Sequence, residues 1–421
     1  MLPWFFKFEN RNFQRLWWGQ LISQFGDRIH QLALVGLIAE RAPGSVMGLT
    51  KLLAFTIIPV FLIQPFAGVF VDRWDRRTTL LVCDILRGLL VLAIPFIFFY
   101  WESMVPIYII VFLVFCFSRF YSPAKMSIIP DLVKEESLLV ANSLVSTTGM
   151  IAFVLGCALG GILVDKFGAR TGFFVDAATF FFSGALVFSI DLSRRLKMSR
   201  TALLKAGREW AGPIRRSVWV ELKEGLRYPI HQPELRFVLN MLFTILFAAG
   251  AIYVVIVVFI QKAFQSVTRD LGILAVFLGV GLFLGAISYG RWGKKFAWHK
   301  TIFFCLITGG AMLASFALLI CAYPNIFMAM GLAFLLGLMV GPIFIAANTI
   351  VHVVSDEKMR GKVFSAVEIV IHFAFLTAML LSSWLSQFIA EVWILTGVGV
   401  IFTCIGLGGF VMKPKFVDLE K

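Results

Sequence analysis

Gln20, Gln24, Asp27 and Gln31 recur at spacings of four, three and four within a largely apolar stretch, with Ser23 and His30 beside them. At about 100° per residue these positions share one narrow face of a helix. A carboxylate set among amides and an imidazole can take up a proton, hold a cation or orient a polar ligand. Asp27 lies about 14 residues into its apolar stretch, or roughly 20 Å along a helix axis, which is near the middle of a bilayer. A lone charge at that depth costs about 2.5 to 3.5 kcal/mol. The face must therefore look into a water-filled cavity or onto another helix. Two readings of Asp27 stand at this level: it binds substrate or a proton in a cavity, or it pairs structurally with Arg28 or a neighbour.

Other ionisable groups fall inside apolar runs. Arg119 can pair with Asp27, with Asp84 or with an anionic substrate. Asp84 and Arg87 stand one turn apart and read as a local ion pair. Asp176, at the entrance of its run, reads as an interfacial cap. Glu368 and His372, also one turn apart, allow proton exchange or a hydrogen-bonded pair. Asn240 and Thr244 offer neutral polar contacts. The candidate substrate- and proton-binding set is thus Asp27, Gln24, Gln31, Gln20, His30, Arg28, Arg119, Glu368, His372 and Asn240.

The elements that position these residues follow from composition. In 421 residues, 60% are hydrophobic and 15% charged, too little polar surface to coat a soluble globule of this size. The apolar residues form separate runs of about 20, the length at which a helix crosses the hydrocarbon layer. Twelve such spans are expected, at 13–40, 46–71, 78–100, 104–124, 138–164 and 171–191, then 235–261, 271–291, 299–321, 326–350, 362–387 and 392–412. The expected class is an all-α polytopic membrane protein. No cleavable signal peptide is expected at the N-terminus, so the first span serves as the insertion signal. The six cysteines all fall inside apolar runs without C-x-x-C spacing, so neither a disulfide framework nor a zinc site is expected.

Charge fixes the orientation. With an even number of spans both termini share a side, and about 29 Lys and Arg fall on it against about five on the other, which makes the terminal side cytoplasmic. The net charge of +14 is therefore a topology signal and calls for no nucleic-acid partner. A basic stretch at 192–233 separates an N-terminal six-helix bundle, 1–191, from a C-terminal one, 234–421, and reads as a linker along the anionic inner leaflet.

Between the second and third spans the chain reads Gly68-Val69-Phe70-Val71-Asp72-Arg73-Trp74-Asp75-Arg76-Arg77, a charge-dense turn. Gly290-Arg291-Trp292-Gly293-Lys294-Lys295 repeats its end in the second half, with both acids replaced by glycine. The first copy resembles the loop between the second and third helices of the major facilitator superfamily, with Gly68, Asp72, Arg76 and Arg77 in the family's slots. Ser122 to Val133 and Arg360-Gly361-Lys362-Val363-Phe364-Ser365 are similar to loops of its enterobactin-exporter and macrolide-efflux branch. In the fifth span, Gly156-Cys157-Ala158-Leu159-Gly160-Gly161 carries Cys where the drug antiporters of the superfamily carry proline.

The resemblance implies the major facilitator fold, two pseudo-symmetric six-helix bundles with a substrate site between them. It also implies a cytoplasmic gate in which Asp72 faces the N-terminus of the eleventh helix near Arg360 to Val363, with Gly68, Arg73, Arg76, Arg77, Asp84 and Arg87 around it. The expected function is proton-coupled efflux of a hydrophobic or amphipathic small molecule of drug, macrolide or siderophore type. A lysophospholipid or other lipid translocator of the same fold is the alternative. The expected partners are such a substrate, protons and membrane lipids, with the protein monomeric in a bacterial inner membrane and no cofactor or metal required. No phosphate-binding glycine loop, H-E-x-x-H pair or hydrolase triad stands out, which disfavours a membrane enzyme or an ATP-driven pump.

Overall fold

The computed structural model describes residues 10–71, 73–191, 220, 223–224, 227, 233–293, 298–354 and 357–411. Among them the regular structure is helical, without strands. In chain order the helices are α1 (Arg11–Arg41), α2 (Val46–Leu62), α3 (Gln64–Val71), α4 (Arg76–Tyr100), α5 (Val105–Leu132) and α6 (Leu138–Phe188). Then follow α7 (Pro233–Phe264), α8 (Arg269–Trp292), α9 (Trp298–Ala322), α10 (Ile326–Val354), α11 (Glu357–Leu385) and α12 (Glu391–Val411).

Helix numbers and spans are not the same count. The expected second span is broken into α2 and α3, which meet at 53°. Pro65 explains the break, since it lacks an amide proton and its ring collides with the carbonyl four residues back. Conversely, α6 runs for 51 residues, about twice what one crossing needs. It is interrupted at Gly168, whose φ of 81° and ψ of 164° suit a residue without a Cβ, so the fifth and sixth spans meet there without a loop. Nine described helices are long and apolar enough to cross, ten with the bent pair. Dividing α6 and adding the more polar α1 gives the twelve spans of the sequence reading.

One boundary differs from that reading. The fourth span, expected to end at 124, continues as α5 to Leu132 through Pro123 and Pro130, and Val133 closes it by donating its backbone N–H to the Ile129 carbonyl at 3.2 Å.

The chain divides into two compact units, Met1–Glu40 with Lys51–Val220, and Arg41–Thr50 with Glu221–Lys421. In the first, α4 packs on both α5 and α6 over a core that includes Phe13, Leu16, Leu80, Tyr121, Ile128 and Val187. In the second, α8 packs on α10, α9 on α12 and α7 on α11. The α8 and α10 backbones touch: a Cβ at Gly281 would fall 2.1 Å from the Phe334 carbonyl oxygen, and one at Gly337 2.2 Å from that of Leu278. Small residues at such crossings are how membrane helices gain dispersion contact where no hydrophobic drive exists between them. Most of the basic stretch expected as a linker lies outside the described residues.

Candidate functional site

The polar face of α1 is held against α6 by a close approach at Gly26. A Cβ there would stand 2.0 Å from Thr179 Oγ1 and 2.6 Å from Asp176 Oδ1. One turn further, His30 Nδ1 lies 3.0 Å from Asp176 Oδ2, and both side chains are buried. The contact lies off the hydrogen-bond axis. Asp176 is therefore no interfacial cap, because its carboxylate points inward to the imidazole of α1 rather than to the membrane surface. A buried carboxylate needs a partner, and among the described residues His30 is the one within ion-pair distance. Phe173 packs its ring edge on the same imidazole.

Beside this contact, Asp84 and Arg87 of α4 form the ion pair that their spacing predicts, and it is almost fully buried. Its second carboxylate oxygen accepts from Ser183 Oγ of α6 at 2.8 Å. The Arg87 guanidinium lies 4.2 Å from the Tyr121 ring and 4.3 Å from that of Phe180. A paired, stacked guanidinium of this kind ties α4, α5 and α6 together, since charge, donors and flat faces are all answered.

Next to these groups lies a cavity of about 210 Å³, lined from α1 by Gln20, Ser23, Gln24, Asp27, Arg28, His30 and Gln31. The face that periodicity picks out is thus a cavity wall within the first unit. Arg87, Arg119, Lys125, Tyr121 and Asp176 line it from the other helices. Asp27 has no hydrogen-bond or ion-pair partner among the described residues. Arg28 donates instead to Gln31 Oε1 at 3.0 Å and lies over the Phe153 ring, so the structural pairing of Asp27 with Arg28 is not made. Gln24 reaches Gln20 at 3.4 Å, and Arg119 reaches Gln64 Oε1 at 3.4 Å. The amide nitrogen of Gln20 is buried without a partner.

Lys125, Tyr121 and Ser183 were not among the sequence candidates. Lys125 falls just past the expected end of the fourth span at 124, and the continuation of α5 to Leu132 makes it a wall of the cavity.

At the charge-dense turn, Asp75 caps α4 by accepting from the Thr78 amide at 2.8 Å. Arg76 meets Asp131 of α5 at 2.6 Å, and Arg77 donates to the last carbonyls of α6, at Val187 and Phe188. A Cβ at Gly68 would meet nothing within 4 Å. Arg73 follows α3 in the turn that leads to α4. Asp72, Lys294 and Lys295 lie outside the described residues, as do the side chains of Arg360 to Val363. In the second unit, His372 Nδ1 lies 2.7 Å from the Glu368 carbonyl oxygen and 3.4 Å from Glu368 Oε2. Asn240 is exposed on α7, and its carbonyl accepts from Thr244.

Helices of bilayer length in two units, with a charged polar cavity inside one of them, define a multi-pass membrane transporter. The chain belongs to the Major Facilitator Superfamily, whose pattern matches residues 16–319 and 238–417. It is 24% identical to the MFS-type transporter YkuC of Bacillus subtilis over 97% of this chain and 94% of that one. To YfiS of the same organism it is 27% identical over 83% and 80%. With the multidrug efflux pump Tap of Mycolicibacterium fortuitum it shares 24% identity over 82% and 81%. Among solved structures, a bacterial homologue of the iron transporter ferroportin superposes with a TM-score of 0.72 at 15% identity, covering 95% of this chain and 98% of that one. At that identity the likeness concerns the fold.

Proposed function

We propose that this protein is a secondary transporter that exports a hydrophobic or amphipathic small molecule of drug, macrolide or siderophore type by alternating access, with Asp27 carrying a coupling proton. The observation that carries the reading is the unpartnered carboxylate of Asp27 in a polar cavity at the middle of a spanning helix. The similarity to a multidrug efflux pump supports the outward direction. In this reading the protein works as a monomer in a bacterial cytoplasmic membrane with both termini cytoplasmic, and Gly68, Asp72, Arg73, Arg76 and Arg77 form its cytoplasmic gate. Glu368, His372 and Asn240 contribute from the second unit.

The test is transport in proteoliposomes with and without an imposed pH gradient, wild type against Asp27→Asn. The gradient is expected to accelerate movement of amphipathic dyes by the wild type and to leave the variant unaffected. Equal transport in all four conditions would sink the proposal.

The alternative is a lipid translocator, favoured by one observation: Arg28, Arg119 and Lys125 line the cavity and suit a phosphate headgroup. A fluorescent lysophospholipid and a soluble dye, offered to the same proteoliposomes, separate the two.

A further inference from the structure

Two cations on the cavity wall lack a counter-charge in contact with them among the described residues. Arg87 is answered by Asp84, and Asp176 lies 3.0 Å from His30. Beside the carboxylate of Asp27, the lining carries Arg28 and Lys125. The polar contact of Arg28 is to a neutral amide, and Lys125 has neither a hydrogen-bond nor an ion-pair partner among the described residues. The buried, unpartnered amide nitrogen of Gln20 adds a donor that also lacks an acceptor. Cations from two helices and an orphan N–H on one small cavity are the complement of a negatively charged group.

We infer that the cargo carries an anionic group, a carboxylate or a phosphate, and that Lys125 of α5 and Arg28 of α1 are its principal contacts, with Arg119 and Gln20 beside them. The inference rests on the cavity being the cargo site and adds the sign of the cargo's charge. A cation without a counter-charge in contact is costly in a membrane protein until an anion completes it, so the cavity prefers anionic over neutral or cationic amphiphiles. Asp27 acts in the opposite sense, because an acidic side chain on the same wall disfavours the anion that Lys125 attracts.

The experiment compares three probes with one fluorophore and different heads: dansylglycine, an anion; dansylglycinamide, neutral; and dansylcadaverine, a cation. Each is titrated by fluorescence against the purified full-length protein in nanodiscs. Dansylglycine is expected to bind about tenfold more tightly than the amide, the scale of one charge-assisted hydrogen bond. Relative to the amide in the same variant, Lys125→Gln weakens it, Lys125→Arg restores it and Asp27→Asn tightens it. A fold defect in one variant would not mimic these opposite signs.

Equal affinity for the three heads, or preference for the cation, would overturn the anion site while leaving amphiphile export intact. So would an unchanged dansylglycine affinity in both Lys125→Gln and Asp27→Asn. Absence of saturable binding by every probe would overturn both readings. Displacement of dansylglycine by soluble 1-naphthoate supports a free acid as cargo, and displacement by lysophosphatidic acid supports a lipid headgroup. Displacement by neither would count against the inference.

Discussion

Asp176 of α6 and His30 of α1 face each other at 3.0 Å in the wall of the cavity, joining two helices whose contributing residues are 146 positions apart in the chain (176 − 30). Asp27, on the same turn of α1, makes no such contact. The unit thus holds one acid in a buried structural pair and another open to the cavity, and the two have different consequences when changed.

Replacing Asp176 with alanine leaves the His30 imidazole buried without its partner, for which a loss of about 1 to 3 kcal/mol is expected. His30→Gln and Asp176→Asn, singly and together, should show a coupling of roughly 0.5 to 3 kcal/mol in thermal denaturation of the detergent-solubilised protein. Strict additivity would show that the 3.0 Å contact contributes nothing.

Gly26→Ala inserts a methyl group 2.0 Å from Thr179 Oγ1. Overpacking of this kind costs about 1 to 3 kcal/mol, so a lower melting temperature is expected. Thr179→Ala in the same background removes the nearest atom and should recover part of the loss. A Gly26→Ala protein as stable as the wild type would mean that α1 and α6 do not approach this closely.

Asp84→Asn leaves the stacked guanidinium of Arg87 buried without its counter-charge, a change worth about 3 to 5 kcal/mol. Ser183→Ala removes only the hydroxyl bond to the same carboxylate, worth about 1 kcal/mol. The order of the two effects is the check: a Ser183 variant as damaged as the Asp84 variant would contradict an ion pair as the central tie.

Asp72→Asn is expected to favour states open to the cytoplasm if the charge-dense turn is a gate. A single cysteine at Ser118, on the cavity wall, should then react faster with a membrane-impermeant maleimide added from the cytoplasmic side. Unchanged labelling would reduce the turn to a topology signal.

Much of this protein is written locally. Hydropathy gives the spans because each helix must satisfy its own backbone in lipid, independently of its neighbours. The glutamines and Asp27 declare a cavity face by 3.6-residue periodicity, and Asp84 and Arg87 declare their pair by lying one turn apart. The break between α2 and α3 was equally available in Pro65, whose ring chemistry needs no tertiary context.

The remainder depended on which helix faces meet. Asp176 reads as an interfacial cap and Lys125 falls past the expected end of its span, because periodicity assigns a residue to a face of its own helix and says nothing of what lies opposite. That was decided where Gly26 lets α6 approach α1, and where α5 continues to Leu132 instead of ending at 124. The sequence by itself determined a twelve-span membrane protein with a polar stripe. Only the tertiary structure decided that the stripe's cavity is cation-rich, because its cations come from separate helices brought together by packing.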